Sequence, residues 1–231
     1  MNIFRITGDL SHLISIFILL HKMRTSKSCI GISFKSQVLY LIVYVTRYLD
    51  LLWTFQHSAY NSLMKIIFIA SSAYTIHLML NDFKPTHDPN IDTFKVEYLI
   101  GGSAILALLF PYKWTTAEVL WSFSIWLESV AILPQLFMLQ RTGEAETITT
   151  HYIFALGAYR ALYIPNWLYR YFTESFTDPI STIAGIIQTI LYSDFFYIYY
   201  TKYGLPFLLL IFPVSSIPTP TLKQGCRSSV K

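Results

Sequence analysis

Charged residues are scarce in this chain. Only 13% of its 231 residues are Asp, Glu, Lys or Arg, whereas a soluble domain usually has about a quarter. Hydrophobic residues make up 54%, and Tyr and Phe occur 17 times each. So little charge among so many apolar side chains does not suit a soluble domain or a disordered segment. We therefore predict an integral membrane protein with the lipid bilayer as its main surrounding.

Cysteine pairs and long basic runs are also lacking. The two cysteines, Cys29 and Cys226, are far apart in the sequence and have no spacing typical of a disulfide framework or a metal site. The net charge of +4 is spread along the chain without a basic cluster, so nucleic acid is not expected as a partner. We predict no metal and no cofactor.

Long apolar segments are what the chain does contain. Because about 20 residues cross a bilayer as a helix, the sequence predicts an all-α membrane protein with seven transmembrane helices. Pro134 in the fifth segment predicts a helix break. The segments are 2–20, 36–56, 62–80, 95–112, 117–139, 149–172 and 179–201.

Positive charge sets the predicted orientation. The apolar run at 10–20 is preceded by Arg5 and Asp9 and followed by Lys22 and Arg24, a flank typical of a retained span and not of a cleaved signal peptide. Basic residues then recur in alternate loops, which indicates a luminal amino terminus and a cytosolic carboxyl terminus. They are Lys27, Lys35, Lys84, Lys95, Arg141 and Lys202.

The second and sixth segments have a similar residue pattern. Residues 36–47 and 149–160 have the same length, and the arginine that ends each run opens an aromatic stretch that finishes at Trp53 or Trp167. This match favours two three-helix parallel repeats joined by a linker helix. Such an arrangement places a polar site between the repeats near the membrane midplane.

Three arginines, Arg5, Arg47 and Arg170, lie in predicted spans. A guanidinium does not lose its proton in a protein, so each one needs an anionic partner within the membrane. We expect too few carboxylates at matching depth to neutralise all three. The excess predicts a site for an acidic ligand.

Two of the polar positions also have simpler interpretations. Arg47 and Asp50 are three residues apart and would share a helical face, so a purely structural ion pair is the alternative. His12 follows Asp9 by three residues, and a lone histidine in a span is often only a hydrogen-bonded packing residue.

An aromatic stripe runs along the sixth segment. Tyr159, Tyr163, Trp167 and Arg170 are spaced by four, four and three residues, which puts them on one helical face. Packing is the usual role of such a stripe, but the arginine at its end favours a binding surface.

Several long runs resemble the family of endoplasmic reticulum (ER) protein retention receptors, which bind carboxy-terminal Lys-Asp-Glu-Leu or His-Asp-Glu-Leu signals. The resemblance extends from Met1 to about Lys202, and the residues between the matching runs look more fungal than animal. The runs are 4–12, 46–51, 121–138, 142–152, 159–163 and 192–197.

The resemblance implies a seven-helix fold related to the sugar-transporting SWEET and PQ-loop proteins. It also implies a receptor that is not an enzyme and that cycles between the ER membrane and the cis-Golgi membrane. Such a receptor binds escaped ER proteins at acidic Golgi pH, releases them at neutral pH, and returns in retrograde vesicles. The COPI coat and its adaptors are the implied cytosolic partners.

The resemblance also implies roles for the arginines. Arg47, with Tyr48 nearby, takes the terminal carboxylate of the signal, and Arg5 and Arg170 take its two acidic side chains. One carboxylate for each guanidinium permits bidentate pairing.

Further roles follow from the same resemblance. Asp50, Glu118 and the face of Trp121 meet the basic first residue of the signal. Tyr163 and Trp167 wall the cavity.

The implied pH switch consists of His12, Glu128 and Tyr159. An unperturbed histidine titrates near 6.5. We hypothesise that protonated His12 tightens a buried hydrogen bond between Glu128 and Tyr159.

The tail at 203–231 departs from the family pattern. Its apolar run at 207–214 is too short to cross a bilayer, and Pro206 and Pro213 oppose a helix. We expect a receptor domain at 1–202 and a poorly ordered cytosolic tail after it, with read-through or alternative splicing as a possible origin.

Two other classes of protein fit the sequence less well. A SWEET-like small-solute transporter has the same architecture, but three arginines are a poor lining for a neutral sugar. An intramembrane enzyme needs an activated nucleophile or a metal cluster, and the spans contain no such pattern.

Overall fold

The computed structural model describes residues 3–52, 59–86, 88–142, 147–175 and 178–199. Within these ranges the regular structure is entirely helical, with eight α-helices and two short 3-10 helices at Leu49–Leu52 and Lys84–Thr86. The α-helices are α1 (Ile3–Ser26), α2 (Phe34–Arg47), α3 (Ala59–Leu80), α4 (Glu97–Leu109), α5 (Thr116–Val130), α6 (Leu133–Thr142), α7 (Thr147–Glu174) and α8 (Pro179–Tyr199).

Helices lie in each of the seven predicted segments. In the described part of the chain, three stretches are long and apolar enough to cross a membrane, namely Ile3–Ser26, Tyr60–Leu80 and Thr116–Thr142. Helices of this kind make the chain a multi-pass membrane protein.

The fifth segment is interrupted, as Pro134 predicts. Helix α5 ends at Val130 and α6 begins at Leu133, because proline in the first turn of a helix has no N–H to donate to the preceding turn. The side chain of Gln135 fastens this break to the loop before α2. Its Oε1 accepts a bond of 2.8 Å from the Ser33 amide, and its Nε2 donates one of 2.9 Å to the Gly31 carbonyl.

The second segment differs from its predicted extent. The α-helix ends at Arg47, where the Tyr48 amide donates to the Tyr44 carbonyl at 3.0 Å, and the chain continues as the 3-10 helix. Asp50 therefore does not continue the α-helical face of Arg47.

The helices pack around one main hydrophobic core. Helix α1 lies along α7, α2 contacts α3 and α5, and α8 contacts both α5 and α7, while α4 packs on α5. The larger core cluster includes Leu19, Val43, Leu127 and Ile153, each at most 2% exposed. A smaller cluster around Trp126 joins α4, α5 and α8. The tail from residue 203, together with Lys202 and Trp53, lies outside the described residues.

Candidate functional site

A buried carboxylate, that of Glu128 on α5, is the centre of the site. Its Oε2 forms ion pairs with Nη1 of Arg47 on α2 and with Nη2 of Arg160 on α7. Its Oε1 accepts a hydrogen bond from the Tyr159 hydroxyl. Glu128 is only 1% exposed and Arg160 7%. Two guanidiniums thus share one carboxylate, and the cluster has an excess of one positive charge.

Arg47 is held on two sides by α5. Its Nε donates to the Ser124 hydroxyl at 3.1 Å, and its Nη2 donates to the Ser124 carbonyl at 3.0 Å. Ser124 precedes Glu128 by one helical turn, so a single helix fixes the orientation of the guanidinium. A planar group held in this way is preorganised for a second carboxylate.

His12 is joined to this cluster through Tyr159. Its ring stacks on the Tyr159 ring at a centroid distance of 4.3 Å and an angle of 8°. On its other face it stacks on Phe68 at 4.7 Å. Its Nε2 lies 2.8 Å from the Tyr44 hydroxyl. The imidazole therefore contacts the same side chain that donates to Glu128.

Asp9 forms a second polar centre on α1. Its Oδ1 accepts a hydrogen bond of 2.6 Å from the Tyr163 hydroxyl, and its Oδ2 accepts one of 3.3 Å from Tyr60. Arg5 lies one turn earlier, with its Nε 4.0 Å from Asp9 Oδ2 and its Nη2 3.4 Å from Asn61 Oδ1. The Arg5 side chain is 44% exposed, so it stands at the edge of the site.

Two hollows adjoin these residues. The inner cavity, of about 150 Å³, lies among Arg47, Tyr48, Glu128, Arg160 and Trp167. The lateral hollow, of about 270 Å³, is lined mainly by α7 and α8 and includes Arg170 and Asp178. Trp167 lines both.

The structure brings most of the predicted site residues together. Seven of them line the inner cavity, and Arg170 lines the lateral hollow, where its Nε lies 2.8 Å from Glu174 Oε2. The seven are His12, Arg47, Tyr48, Glu128, Tyr159, Tyr163 and Trp167.

Asp50, Glu118 and Trp121 line neither hollow. Asp50 forms an ion pair of 2.5 Å with Lys65 on α3. Glu118 lies in the first turn of α5, where its amide donates to the capping hydroxyl of Thr115. Trp121 packs against Tyr112 at 5.5 Å between ring centroids.

The expected shortage of carboxylates is wrong, and so is the alternative interpretation that pairs Arg47 with Asp50. The chain does have carboxylates at the level of the three predicted arginines, because Arg5, Arg47 and Arg170 each lie within ion-pair distance of one. The carboxylate of Arg47 comes from α5 and not from Asp50, since α2 ends before Asp50. The excess positive charge arises from Arg160, which shares the acid of Arg47.

Arg160 and Asp9 are site residues that the set of candidates lacks. A signal for Arg160 is nonetheless present, because the similar residue pattern of the second and sixth segments aligns it with Arg47. The two aligned arginines contact the same carboxylate. Lys65 is also missing from that set, although it is a charged residue inside the third apolar segment.

The chain is similar to known proteins along most of its length. The model of a family described as ER lumen protein retaining receptor matches residues 28–170. The chain is 58% identical over 202 residues to the ER lumen protein-retaining receptor of Caenorhabditis briggsae, covering 87% of this chain and 94% of that protein. It has the same identity over the same length to the protein of that name from Drosophila melanogaster, with 95% of that protein covered. ER lumen protein-retaining receptor 2 of Gallus gallus also matches at 58% over 202 residues, 87% of this chain and 95% of that protein.

Proposed function

Because the chain belongs to the family of ER lumen protein-retaining receptors, we propose that it binds the carboxy-terminal Lys-Asp-Glu-Leu or His-Asp-Glu-Leu signal of soluble ER proteins. The observation that carries this proposal is the pair Arg47 and Arg160 on a single buried carboxylate beside the inner cavity. A second negative charge is what this cluster lacks. The family is named for a receptor and not for a catalytic activity.

The carboxylates of the signal have matching partners. The terminal carboxylate pairs with Arg47 and Tyr48, which line the inner cavity. The two acidic side chains pair with Arg5 and Arg170 nearer the edge. Charge-assisted hydrogen bonds contribute roughly 1.5 to 3 kcal/mol each, so three such pairs compensate for the ordering of a short peptide and yield about micromolar binding or tighter.

The basic first residue of the signal binds farther out along α5. Trp121 precedes Glu128 by seven residues, which is roughly 10 Å along the helix axis. Four extended residues span up to roughly 13 Å. A peptide whose carboxyl end reaches Arg47 therefore has the length to present its first residue to Trp121, Glu118 and Asp50.

Binding depends on pH through His12. The charged and titratable groups around the imidazole are Tyr44 from α2, Tyr159 and Arg160 from α7, and Glu128 from α5, with Arg47 in the same cavity. A carboxylate that enters the cavity favours the protonated imidazole. By linkage, binding then strengthens as pH falls and weakens as pH rises.

Retrieval follows from this pH dependence. The receptor loads cargo in the acidic cis-Golgi and returns with it to the neutral ER in retrograde COPI vesicles. We propose seven membrane crossings, a luminal amino terminus, a cytosolic carboxyl terminus, and two three-helix repeats joined by α4. The aligned contacts of Arg47 and Arg160 with Glu128 support the repeat arrangement.

Binding of a labelled His-Asp-Glu-Leu peptide to the purified protein tests the function. We expect tight binding at acidic pH and weak binding at neutral pH. The same peptide with an amidated carboxyl terminus is the control, because it lacks the carboxylate for Arg47. Equal affinity for both peptides would refute the proposal, and uptake of a neutral sugar into liposomes would favour the transporter alternative.

A further inference from the structure

The Trp167 indole lies directly against the backbone of α8 at Gly185. A Cβ atom added at Gly185 would overlap Cη2 of the indole and would lie 2.7 Å from Cζ3 and 3.2 Å from Cζ2. These are ring atoms that cannot rotate away without moving the whole side chain. Gly185 itself is buried. Only a residue without a side chain therefore allows this contact.

The position of the indole matters because Trp167 is part of the wall of both hollows. It lines both the inner cavity and the lateral hollow. It also contacts Tyr163, at 6.2 Å between ring centroids. An indole displaced from α8 would therefore change a wall of the inner cavity.

The inner cavity has little volume to lose. Its volume of about 150 Å³ is below the roughly 300 Å³ at which ligand pockets usually begin. The lateral hollow, at about 270 Å³, is lined by the same ring. The placement of one indole therefore decides how much space a peptide end finds beside Arg47.

Tyr163, the second aromatic residue of the cavity wall, also packs against a glycine. A Cβ at Gly8 would lie 2.8 Å from Cε2 and 2.9 Å from Cδ2 of Tyr163, whose hydroxyl is bound by Asp9. Both rings of the wall thus lie on glycines of neighbouring helices, one on α1 and one on α8. In contrast, a Cβ at Gly101 or Gly102 on α4 meets no atom within 4 Å.

We propose that Gly185 is a positioning residue for ligand binding, because its missing side chain seats the Trp167 indole against α8 and keeps the inner cavity open to the carboxyl end of a peptide. This inference rests on the proposed function for its ligand. The seating of the ring is a separate property that can be tested without any ligand.

The test uses the full-length protein in detergent and a labelled His-Asp-Glu-Leu peptide at acidic pH. Overpacking a well-packed site typically has an effect that corresponds to roughly a tenfold or larger loss of affinity, so we expect Gly185→Ala to raise the Kd by that factor. Gly101→Ala and Gly102→Ala introduce the same methyl group on a helix with open space. Both should leave the Kd within about twofold of the original value.

The Trp167→Phe variant distinguishes an effect on the seating of the indole from a general effect of Gly185→Ala on α8. Phenylalanine has no counterpart to the outer indole atoms that the new methyl group would meet, so Gly185→Ala should have little further effect when Trp167→Phe is present. We therefore expect Gly185→Ala to weaken binding in the protein with Trp167 and to have almost no effect in the Trp167→Phe protein. This difference would show that the two positions are energetically coupled. An equal loss in both backgrounds, or no loss in either, overturns the proposal.

Thermal unfolding of the same four proteins gives the result if Trp167→Phe binds too weakly to measure. The midpoint temperature of unfolding should fall when Gly185→Ala is present with Trp167 and should recover when it is present with Trp167→Phe. If the two substitutions changed the midpoint independently of each other, the seating of the indole on Gly185 would be contradicted. Failure of the unaltered protein to bind the peptide would refute the proposed function instead. The unfolding midpoints of the four proteins would still show whether the Trp167 indole is seated on Gly185.

Discussion

Arg47 and Arg160 contact the same carboxylate oxygen, Oε2 of Glu128. They come from α2 and α7, and α5 supplies the acid between them. The arrangement concentrates two permanent positive charges at one buried point with a single negative charge. An acidic ligand in the adjoining inner cavity would complete the balance of charge.

Glu128 is the common partner of two buried guanidiniums. Glu128→Gln leaves both guanidiniums buried without their common carboxylate, and breaking a buried ion pair typically lowers the free energy of unfolding by about 3 kcal/mol or more. Thermal unfolding in detergent measures the effect. Glu174→Gln is the matched control, since its pair with Arg170 is half exposed and should contribute about 1 kcal/mol or less. Similar losses in the two variants would contradict the central place of Glu128.

Arg47→Lys tests the geometry of the guanidinium. Lysine retains the charge but not the planar fork that Ser124 and Glu128 hold. We expect the Kd for the peptide to rise roughly tenfold or more. Arg141→Lys, at the end of α6, where the side chain donates to Thr93, should leave the Kd unchanged. The two variants are compared by peptide titration at acidic pH, and an unaltered Kd in Arg47→Lys would argue against its pairing with the ligand.

His12→Ala addresses the pH dependence. If the bound state favours protonated His12, the variant should show nearly the same Kd at acidic and neutral pH, while the unaltered protein binds more tightly at acidic pH. His77→Ala is the control, because His77 is an exposed residue on α3. A full pH profile in His12→Ala would assign the switch to another group.

Trp121→Ala tests the outer part of the peptide site. A cation over an aromatic ring contributes about 0.5 to 2 kcal/mol, so the variant should weaken peptides with lysine or histidine at the first position. Peptides with alanine there should bind the variant and the unaltered protein equally. Titrating both peptides against both proteins gives the coupling, and a value of zero would remove Trp121 from the site.

The tail provides a prediction in cells. If retrieval by the coat needs a tail other than this one, a receptor that carries residues 203–231 should bind cargo yet stay in the Golgi. Microscopy of cargo-loaded cells measures the distribution. A normal return to the ER would show that this tail supports retrieval.

The membrane class, the helical segments and their predicted orientation depend on local composition, because the cost of placing a polar group in lipid follows from its residue type and its position along the segment. For the same reason, Pro134 marks the break between α5 and α6, since the lack of an N–H group is a property of that residue. The candidate role of Glu128 and Tyr159 came from the resemblance, and the hydrogen bond between them is present.

What the sequence by itself determined was the apolar class of the protein, where its helices lie, and which of its residues match a known family. Only the tertiary structure decided which charges meet. Arg47 pairs with Glu128 on another helix and not with Asp50 nearby in the sequence, because α2 ends at Arg47. Arg160 joins them because α2, α5 and α7 converge at one carboxylate, a contact that no spacing along a single helix contains.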